Sequence, residues 1–456
     1  MKPILRTLSW LLFLLPGCAG RPSAELPARP NVVFVLVDDL GYADLGCTGG
    51  EIPTPNIDRL AREGVRMTDF YANAPVCTPT RAAFMTGRWQ QRVGLEGAMG
   101  YLAEQKRKVD GNWVDEPAIH GLGLPTGETT IAQLLKGAGY ATGAFGKWHL
   151  GYLPQYNPVR RGFDEYFGVL LGHADFFRYN YFDGTYCLRD GLEPVKAEGY
   201  LTELLNRRAV EFVRKHASEP FFLYVPHLAV HAPYQPPGRP EPPVSREGMN
   251  DGDRATYAAM LAKVDEGVGM ILDELDRQGI AGRTLVVFSS DNGGAHHSDN
   301  RPFFHAKTSL WEGGIRVPGL LRWPGVLPAG AVSRQPAITM DLTATFAALA
   351  GASPTPGKPF DGIDLLPVLR GVKPELERTF FWRVDRSTRR QKAVRRGRWK
   401  YVHDANYTQL LFDLEADPGE RVNLGVRRPE VMADLKARLA AWEKEMDAHE
   451  REFVVR

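Results

Sequence analysis

Seven residues, Asn31-Val-Val-Phe-Val-Leu-Val37, run without a charge and stop at Asp38-Asp39. A run this short, apolar and β-branched predicts a strand buried on both faces. The period changes straight afterwards: Ile57 and Leu60 share one face of an amphipathic helix predicted over residues 55–63, with Gly64 as its stop. The alternation then repeats. Residues 130–135 read as helix before the strand-like Ala141–Phe145, and Leu201–Lys215 precedes a strand at 221–225. The strongest helix, Arg254–Arg277, carries Tyr257, Met260, Leu261, Val264, Val268, Ile271, Leu272 and Leu275 at helical spacing and feeds a strand at 284–288. Helices alternating with buried strands predict an α/β fold, a large mostly parallel sheet flanked by helices, over residues 28–370. Beyond about residue 370 the pattern turns to hairpin-like strands at 379–383, 393–403 and 409–414 and a charged amphipathic helix at 429–450. That change predicts a smaller α+β C-terminal domain over 371–456.

Open parallel sheets gather their sites at the carboxyl ends of the strands. Asp38 and Asp39 follow the first strand, Lys147 and His149 the second, His227 and His231 the third, and Asp291 and Asn292 the fourth. The two acidic pairs supply three carboxylates and one amide oxygen, the all-oxygen set preferred by Ca²⁺ or Mg²⁺. Either pair alone reads more readily as a turn or helix cap. Two such pairs, both at the ends of apolar strands, point to a metal site.

Composition narrows the classes. The 456 residues are 43% hydrophobic and 24% charged, which excludes disorder and coiled coil for the whole chain. Lys plus Arg (56) against Asp plus Glu (54) leaves +2, no field of the kind that draws a domain onto nucleic acid. The Arg-rich stretch 383–400 accordingly reads as solvated surface. At the N-terminus Lys2 and Arg6 precede an apolar run at 8–15, too short to span a bilayer and laid out as a secretory signal within residues 1–20. The run ends in Leu15-Pro16-Gly17-Cys18, which resembles the bacterial lipobox; lipidation of Cys18 and a plain cut near Gly20 or Ala24 stand as equal alternatives. Either way the protein is expected to be exported, periplasmic or at the cell surface, touching a membrane only through a lipid on Cys18. The other cysteines, Cys47, Cys77 and Cys187, match no disulfide framework or zinc spacing. A Cys47–Cys187 pair and two free thiols both remain open.

The string Cys77-Thr78-Pro79-Thr80-Arg81 carries the chemistry. Pro79 suits the first turn of a helix, so residue 77 is expected beside free backbone N–H groups, a place for an anionic oxygen. The same placement predicts a lowered pKa for an unmodified thiol. The string resembles the C-x-P-x-R signature of the sulfatase family, whose Cys a maturation enzyme oxidises to formylglycine. Similar strings follow the family's order: Asp38-Asp39-Leu-Gly-Tyr, Pro55-Asn-Ile-Asp58, Gly146-Lys-Trp-His-Leu-Gly151, His231-Ala-Pro, Ser290-Asp-Asn-Gly293, Lys307, Glu312-Gly-Gly-Ile-Arg-Val-Pro318 and a late Leu411-Phe-Asp-Leu-Glu-Ala-Asp-Pro-Gly-Glu420. The resemblance covers nearly the whole chain after the signal and implies an alkaline-phosphatase-like fold.

The resemblance also implies roles. Asp38, Asp39, Asp291 and Asn292, with an oxygen of modified Cys77, would hold one divalent cation, Ca²⁺ in preference to Mg²⁺. Arg81 would orient the formylglycine hydrate, and Lys147 and Lys307 would bind sulfate oxygens. One hydroxyl of the hydrate, activated by the metal and Asp291, would attack sulfur; His231 would act as acid on the leaving alcohol, with His227 as the alternative, and His149 would take the proton of the second hydroxyl. Substrate contacts are expected in 172–180, from His173 and Arg178, from His227, and in 296–305. Aromatic and basic residues there fit a sulfated carbohydrate, with aryl sulfates as artificial substrates. Two other functions compete: a phosphonate or phosphate ester hydrolase of the same superfamily, and a non-catalytic glycan-binding protein.

Overall fold

The computed structural model describes residues 26–99, 107–109, 112–114, 122–182, 184–238, 240, 245–386, 389–404, 408–451 and 454. The proposed signal and Cys18 lie outside the described residues. Among those described, no helix is long and apolar enough to cross a membrane.

Ten strands form the main sheet, in the order Ala331–Ser333, Val65–Met67, Gly319–Arg322, Thr284–Ser290, Asn31–Val37, Phe221–Pro226, Ala141–Phe145, Glu165–Val169, Leu188–Asp190, Glu193–Pro194. The five from Thr284–Ser290 to Glu165–Val169 are parallel, and both neighbours of that block run antiparallel. The apolar runs are buried on both faces because alternate side chains feed two cores. Val33, Val35 and Val37 pack with the helices Leu201–Lys215 and Arg254–Arg277, whereas Val32, Phe34 and Leu36 pack with Cys77–Thr86, Ile131–Gly137 and Met340–Ala350.

The C-terminal sheet has four antiparallel strands, Thr379–Arg386, Arg389–Arg396, Trp399–Asp404 and Thr408–Asp413, followed by the helix Pro429–Asp447. The strand expected over 393–403 is therefore two, broken at Gly397, which takes φ 55° in a turn. The Arg-rich stretch is not simply surface either. Arg383, Arg395 and Lys400 are buried, because acids distant in sequence, Glu96, Asp69, Glu312 and Glu420, meet them. Cys47, Cys77 and Cys187 are free, so no Cys47–Cys187 disulfide forms.

One cross-chain cap fixes the segment behind the first strand end. Helix Pro55–Arg62 has no side-chain bond from its own N-cap, Thr54. Instead Asp265, buried on Arg254–Arg277, accepts the backbone amides of Asn56 (3.0 Å) and Ile57 (2.8 Å) and the Asn56 side chain (2.8 Å). Asp265→Ala leaves those donors unmet and is expected to lower the unfolding free energy by about 2 kcal/mol; a denaturant titration with an unchanged midpoint would refute this.

Candidate active site

Six chain segments converge where the parallel strands end. The amide of Asp291 donates to Val37 O (3.1 Å), that of Asp38 to Ala229 O (3.2 Å) and that of Lys147 to Pro226 O (2.7 Å), so neighbouring strand ends are stitched together. Gly146 permits the last contact: it has φ 144°, and a Cβ there would lie 2.0 Å from Pro226 O. Cys77 is the first residue of the helix Cys77–Thr86, which Gly87 ends at φ 68°. Lys307 comes from a loop tied to the segment before that helix by Thr308 N–H to Pro75 O (2.8 Å). Asp39 (φ 60°), His149 (φ 57°) and Thr308 (φ 74°) all adopt the left-handed region that side chains seldom occupy, a local strain characteristic of functional sites.

The charges pair closely. Arg81, fully buried, directs Nε and Nη2 to Asp291 Oδ2 (3.0 and 2.8 Å), Nη2 also to Asp38 Oδ2 (3.3 Å), and Nη1 to Lys147 O (2.8 Å). Lys147 forms an ion pair with Asp38. Lys307 Nζ lies 2.7 Å from Asp39 Oδ1 and 3.6 Å from Cys77 Sγ, and the Cys77 thiol donates to Asp38 Oδ1 (3.3 Å). Three carboxylates thus meet three cations. Burial works to raise the carboxyls of Asp38 and Asp39, but Lys147, His231 and Arg81 around the first and Lys307 and His231 around the second outweigh it, and both fall below their ordinary value. Lys307 moves the opposite way: burial would lower it, and Asp39, Cys77 and Asp38 raise it. The Cys77 thiol is pushed up to about 12 by burial and by Asp291 and Asp38. The lowered thiol expected from the helix terminus is therefore corrected, because carboxylates contributed by other strands outweigh the local dipole.

Two histidines present different nitrogens. His149 Nε2 lies 2.6 Å from Met99 O and His231 Nδ1 lies 2.6 Å from Ala232 O. A carbonyl only accepts, so each of those nitrogens carries the hydrogen, which leaves Nδ1 of His149 and Nε2 of His231 as the free positions in the neutral rings. His149 Nδ1 is buried without a hydrogen-bond partner, and His231 Nε2 faces Asp39 Oδ2 at 3.6 Å. Burial, then Lys147, holds His149 well below its ordinary pKa; burial and Lys307 lower His231 against the pull of Asp39 and Asp38.

The oxygen donors of the site suit a hard cation. Asp38, Asp39, Cys77 and His231 each offer one atom within 4.8 Å of the others, whereas Asp291, expected in the set, is not in this group and turns Oδ2 to Arg81. Asn292 lies in contact: its Nδ2 donates to Asp39 Oδ1 (2.7 Å), and its buried Oδ1 has no hydrogen-bond partner. Carboxylate and amide oxygens of this kind fit Ca²⁺ or Mg²⁺.

Above this floor opens a cleft of about 420 Å³ in which Asp39, His231 and Lys307 face Tyr234, Asn250 and His296. Tyr234 and Asn250 were not anticipated; Tyr234, three residues past His231, carries the only sequence hint. Of the residues expected to contact substrate, His173 lies beside the site, its ring parallel to that of His231 at 6.3 Å, with Nε2 buried and unpartnered. Arg178 pairs with Asp175 (3.3 Å). His227 is fully buried with neither ring nitrogen bonded, and burial lowers it to about 4.

A mixed sheet with a parallel centre, clustered acids, a cationic clamp and a cleft at its strand ends suit a hydrolase of anionic esters, with alkaline-phosphatase-like architecture. The model of the family described as Sulfatase matches residues 30–352, and that described as N-sulphoglucosamine sulphohydrolase, C-terminal, matches 301–445. N-acetylgalactosamine-6-sulfatase of Canis lupus familiaris is 36% identical over 405 residues, 84% of this chain and 74% of that protein. The crystal structure of Ps i-CgsB in complex with k-i-k-neocarrahexaose superposes with a TM-score of 0.79 at 34% identity, covering 91% of this chain and 92% of the other. The phosphonate monoester hydrolase of Agrobacterium radiobacter shares the fold, with a TM-score of 0.63 at 20% identity over 92% of this chain and 96% of that one. The chain belongs to the sulfatase family and is a sulfuric ester hydrolase.

The pairing of Arg81 gives a stability test. Arg81→Met leaves Asp291 and Asp38 buried with one cation fewer and is expected to cost about 3–5 kcal/mol of unfolding free energy in chelator. Retention of the parent's denaturation midpoint would show that the charges are not closed off from solvent.

Proposed function

We propose that the protein hydrolyses a sulfate ester of a carbohydrate, using Cys77 converted to formylglycine and one Ca²⁺ held by Asp38, Asp39, Asp291 and Asn292. The observation that carries this reading is the position of residue 77: it heads a helix, touches both Asp38 and Lys307, and has Arg81 one turn further on. Hydrated formylglycine supplies two hydroxyls on one carbon, and a bound cation supplies positive charge beside them. Around that position the chain's own groups divide the work. Lys147 and Lys307 hold sulfate oxygens and stabilise the charge that builds on them. Arg81 keeps residue 77 and Asp291 in register. His231, protonated at Nε2 as well beside Asp39, delivers that proton to the leaving oxygen, and neutral His149 accepts one from residue 77 at Nδ1. His173 and the rim residues Tyr234, Asn250 and His296 contact the sugar.

The substrate class is supported by relatives, one an N-acetylgalactosamine-6-sulfatase and another crystallised with a neocarrahexaose. The likeness to the phosphonate hydrolase is one of fold and favours no phosphorus substrate. Export, with Cys18 either lipidated or removed with the signal, completes the proposal: a substrate met outside the cytoplasm, after a maturation enzyme has acted on Cys77.

Four measurements test it. Elemental analysis of the active protein is expected to find one calcium per chain, and a chelator to abolish turnover; two zincs per chain would move the chemistry to the phosphatase branch. In protein made with a competent maturation enzyme, the tryptic peptide spanning 67–81 is expected to have lost one sulfur and two hydrogens and gained one oxygen. Cys77→Ala should bind substrate and not turn it over. Active protein whose peptide keeps an intact thiol would remove the mechanism.

A further inference from the structure

Away from the cleft, six charged side chains are buried where the C-terminal sheet meets the large domain: Asp69, Glu312 and Arg316 from one side, Arg395, Lys400 and Glu420 from the other. Acids and bases balance three to three. Lys400 Nζ lies 2.8 Å from Glu312 Oε1 and 2.8 Å from Glu420 Oε1, and the second oxygen of Glu420 accepts the backbone amide of Glu312 (2.6 Å). On its far side Glu312 accepts Tyr71 Oη–H (2.6 Å) and Arg316 Nη1–H (3.1 Å). Glu312 is thus held by both its side chain and its backbone.

The turn that Glu312 opens, Glu312–Ile315, reaches the active site through bare backbone. Gly313 N–H donates to Phe304 O (2.9 Å), and Gly293 N–H to Gly314 O (3.0 Å). A Cβ on Gly313 would lie 2.3 Å from His305 O, one on Gly314 2.0 Å from Ser309 O, and one on Gly293 1.9 Å from Gly313 O. The turn is therefore seated on both shoulders of the loop that presents Lys307 and directly against the residue after Asn292. Lys307 N–H closes the circuit on Gly294 O (3.0 Å). These contacts have no slack, so a shift of Glu312 moves both.

We propose that Lys400 and Glu420 are positioning residues: through Glu312 and its glycine turn, the C-terminal domain sets where Lys307 and Asn292 stand. No residue of that domain lines the cleft among those described, so its influence on the chemistry runs through packed contacts: this one, and those of Gln391 with the Leu310 amide (2.8 Å) and Asp404 with the Trp311 indole (3.0 Å). The inference rests on the sulfatase reading of the site and deepens it.

The test compares Lys400→Met, Glu420→Leu and Glu420→Gln in the full-length matured protein with Arg383→Met. Arg383 anchors the same domain to Glu96 (2.6 and 2.8 Å) without touching the Glu312 turn. Turnover of p-nitrophenyl sulfate, Kd for inorganic sulfate and melting temperature are read for each. Lys400→Met and Glu420→Leu are expected to lose about ten- to a hundredfold in kcat, the range a displacement of about 1 Å produces, and to weaken sulfate binding about tenfold. Glu420→Gln, which keeps an acceptor for the Glu312 amide, should recover most of both, and Arg383→Met should melt earlier at unchanged kcat. If Glu420→Leu is not recovered folded, the double substitution Lys400→Met with Glu420→Gln, which keeps the charges even, takes its place. Parent-like kcat and sulfate affinity in Lys400→Met and its companion would overturn the proposal, as would an Arg383→Met that loses both in step with its melting temperature. A parent that binds sulfate but does not turn over sulfate esters would sink the functional reading instead, and the sulfate affinities alone would then decide the positioning role.

Discussion

Burying a carboxylate without a partner is prohibitive, and this fold buries three close together: Asp38 and Asp39 side by side, and Asp291 sharing Arg81 with Asp38. Everything at the strand ends follows from meeting that demand. Arg81 arrives on a helix, Lys147 at the end of a neighbouring strand and Lys307 on a loop, each delivering one positive charge to one point. The five-stranded parallel block at the centre of the sheet is the scaffold that makes such delivery possible, since those five strands all end on one edge. Balanced at three against three, the cluster becomes doubly positive when a divalent cation enters, and a sulfate ester is the kind of anion that such a charge attracts.

The fold was largely legible because its signals are local. The apolar run to Val37, the periodic helix Arg254–Arg277 and the acids at the strand ends can be read without knowing what they touch. What could not be read is non-local. Arg383, Arg395 and Lys400 look like surface until Glu96, Asp69 and Glu312 are brought to them. The Cys77 thiol looks acidic from its helix and becomes the reverse once Asp291 is beside it. The carbonyl of Met99 that fixes the His149 tautomer has no mark in the sequence, and neither has Asn250 on the cleft rim. The break at Gly397 lay hidden in a basic, strand-like stretch.

The two histidines show how little is needed to fix which nitrogen of a ring carries its hydrogen and which is turned to the site. Met99 O and Ala232 O each hold one hydrogen in place, on Nε2 of His149 and on Nδ1 of His231. No carboxylate partner is required for this; a backbone oxygen suffices, and it adds no charge to a site whose charges are already matched.

Cys77 is 2% exposed and held by contacts from segments as distant as Asp38 and Lys307. On the proposed reading, an enzyme that must grip the extended chain around Cys77 has no access once those segments have met. Maturation is then a race between modification and collapse, decided by how long the chain stays open. Changes that speed folding would lower the active fraction while leaving a stable protein, so yield of fold and yield of catalyst would part company.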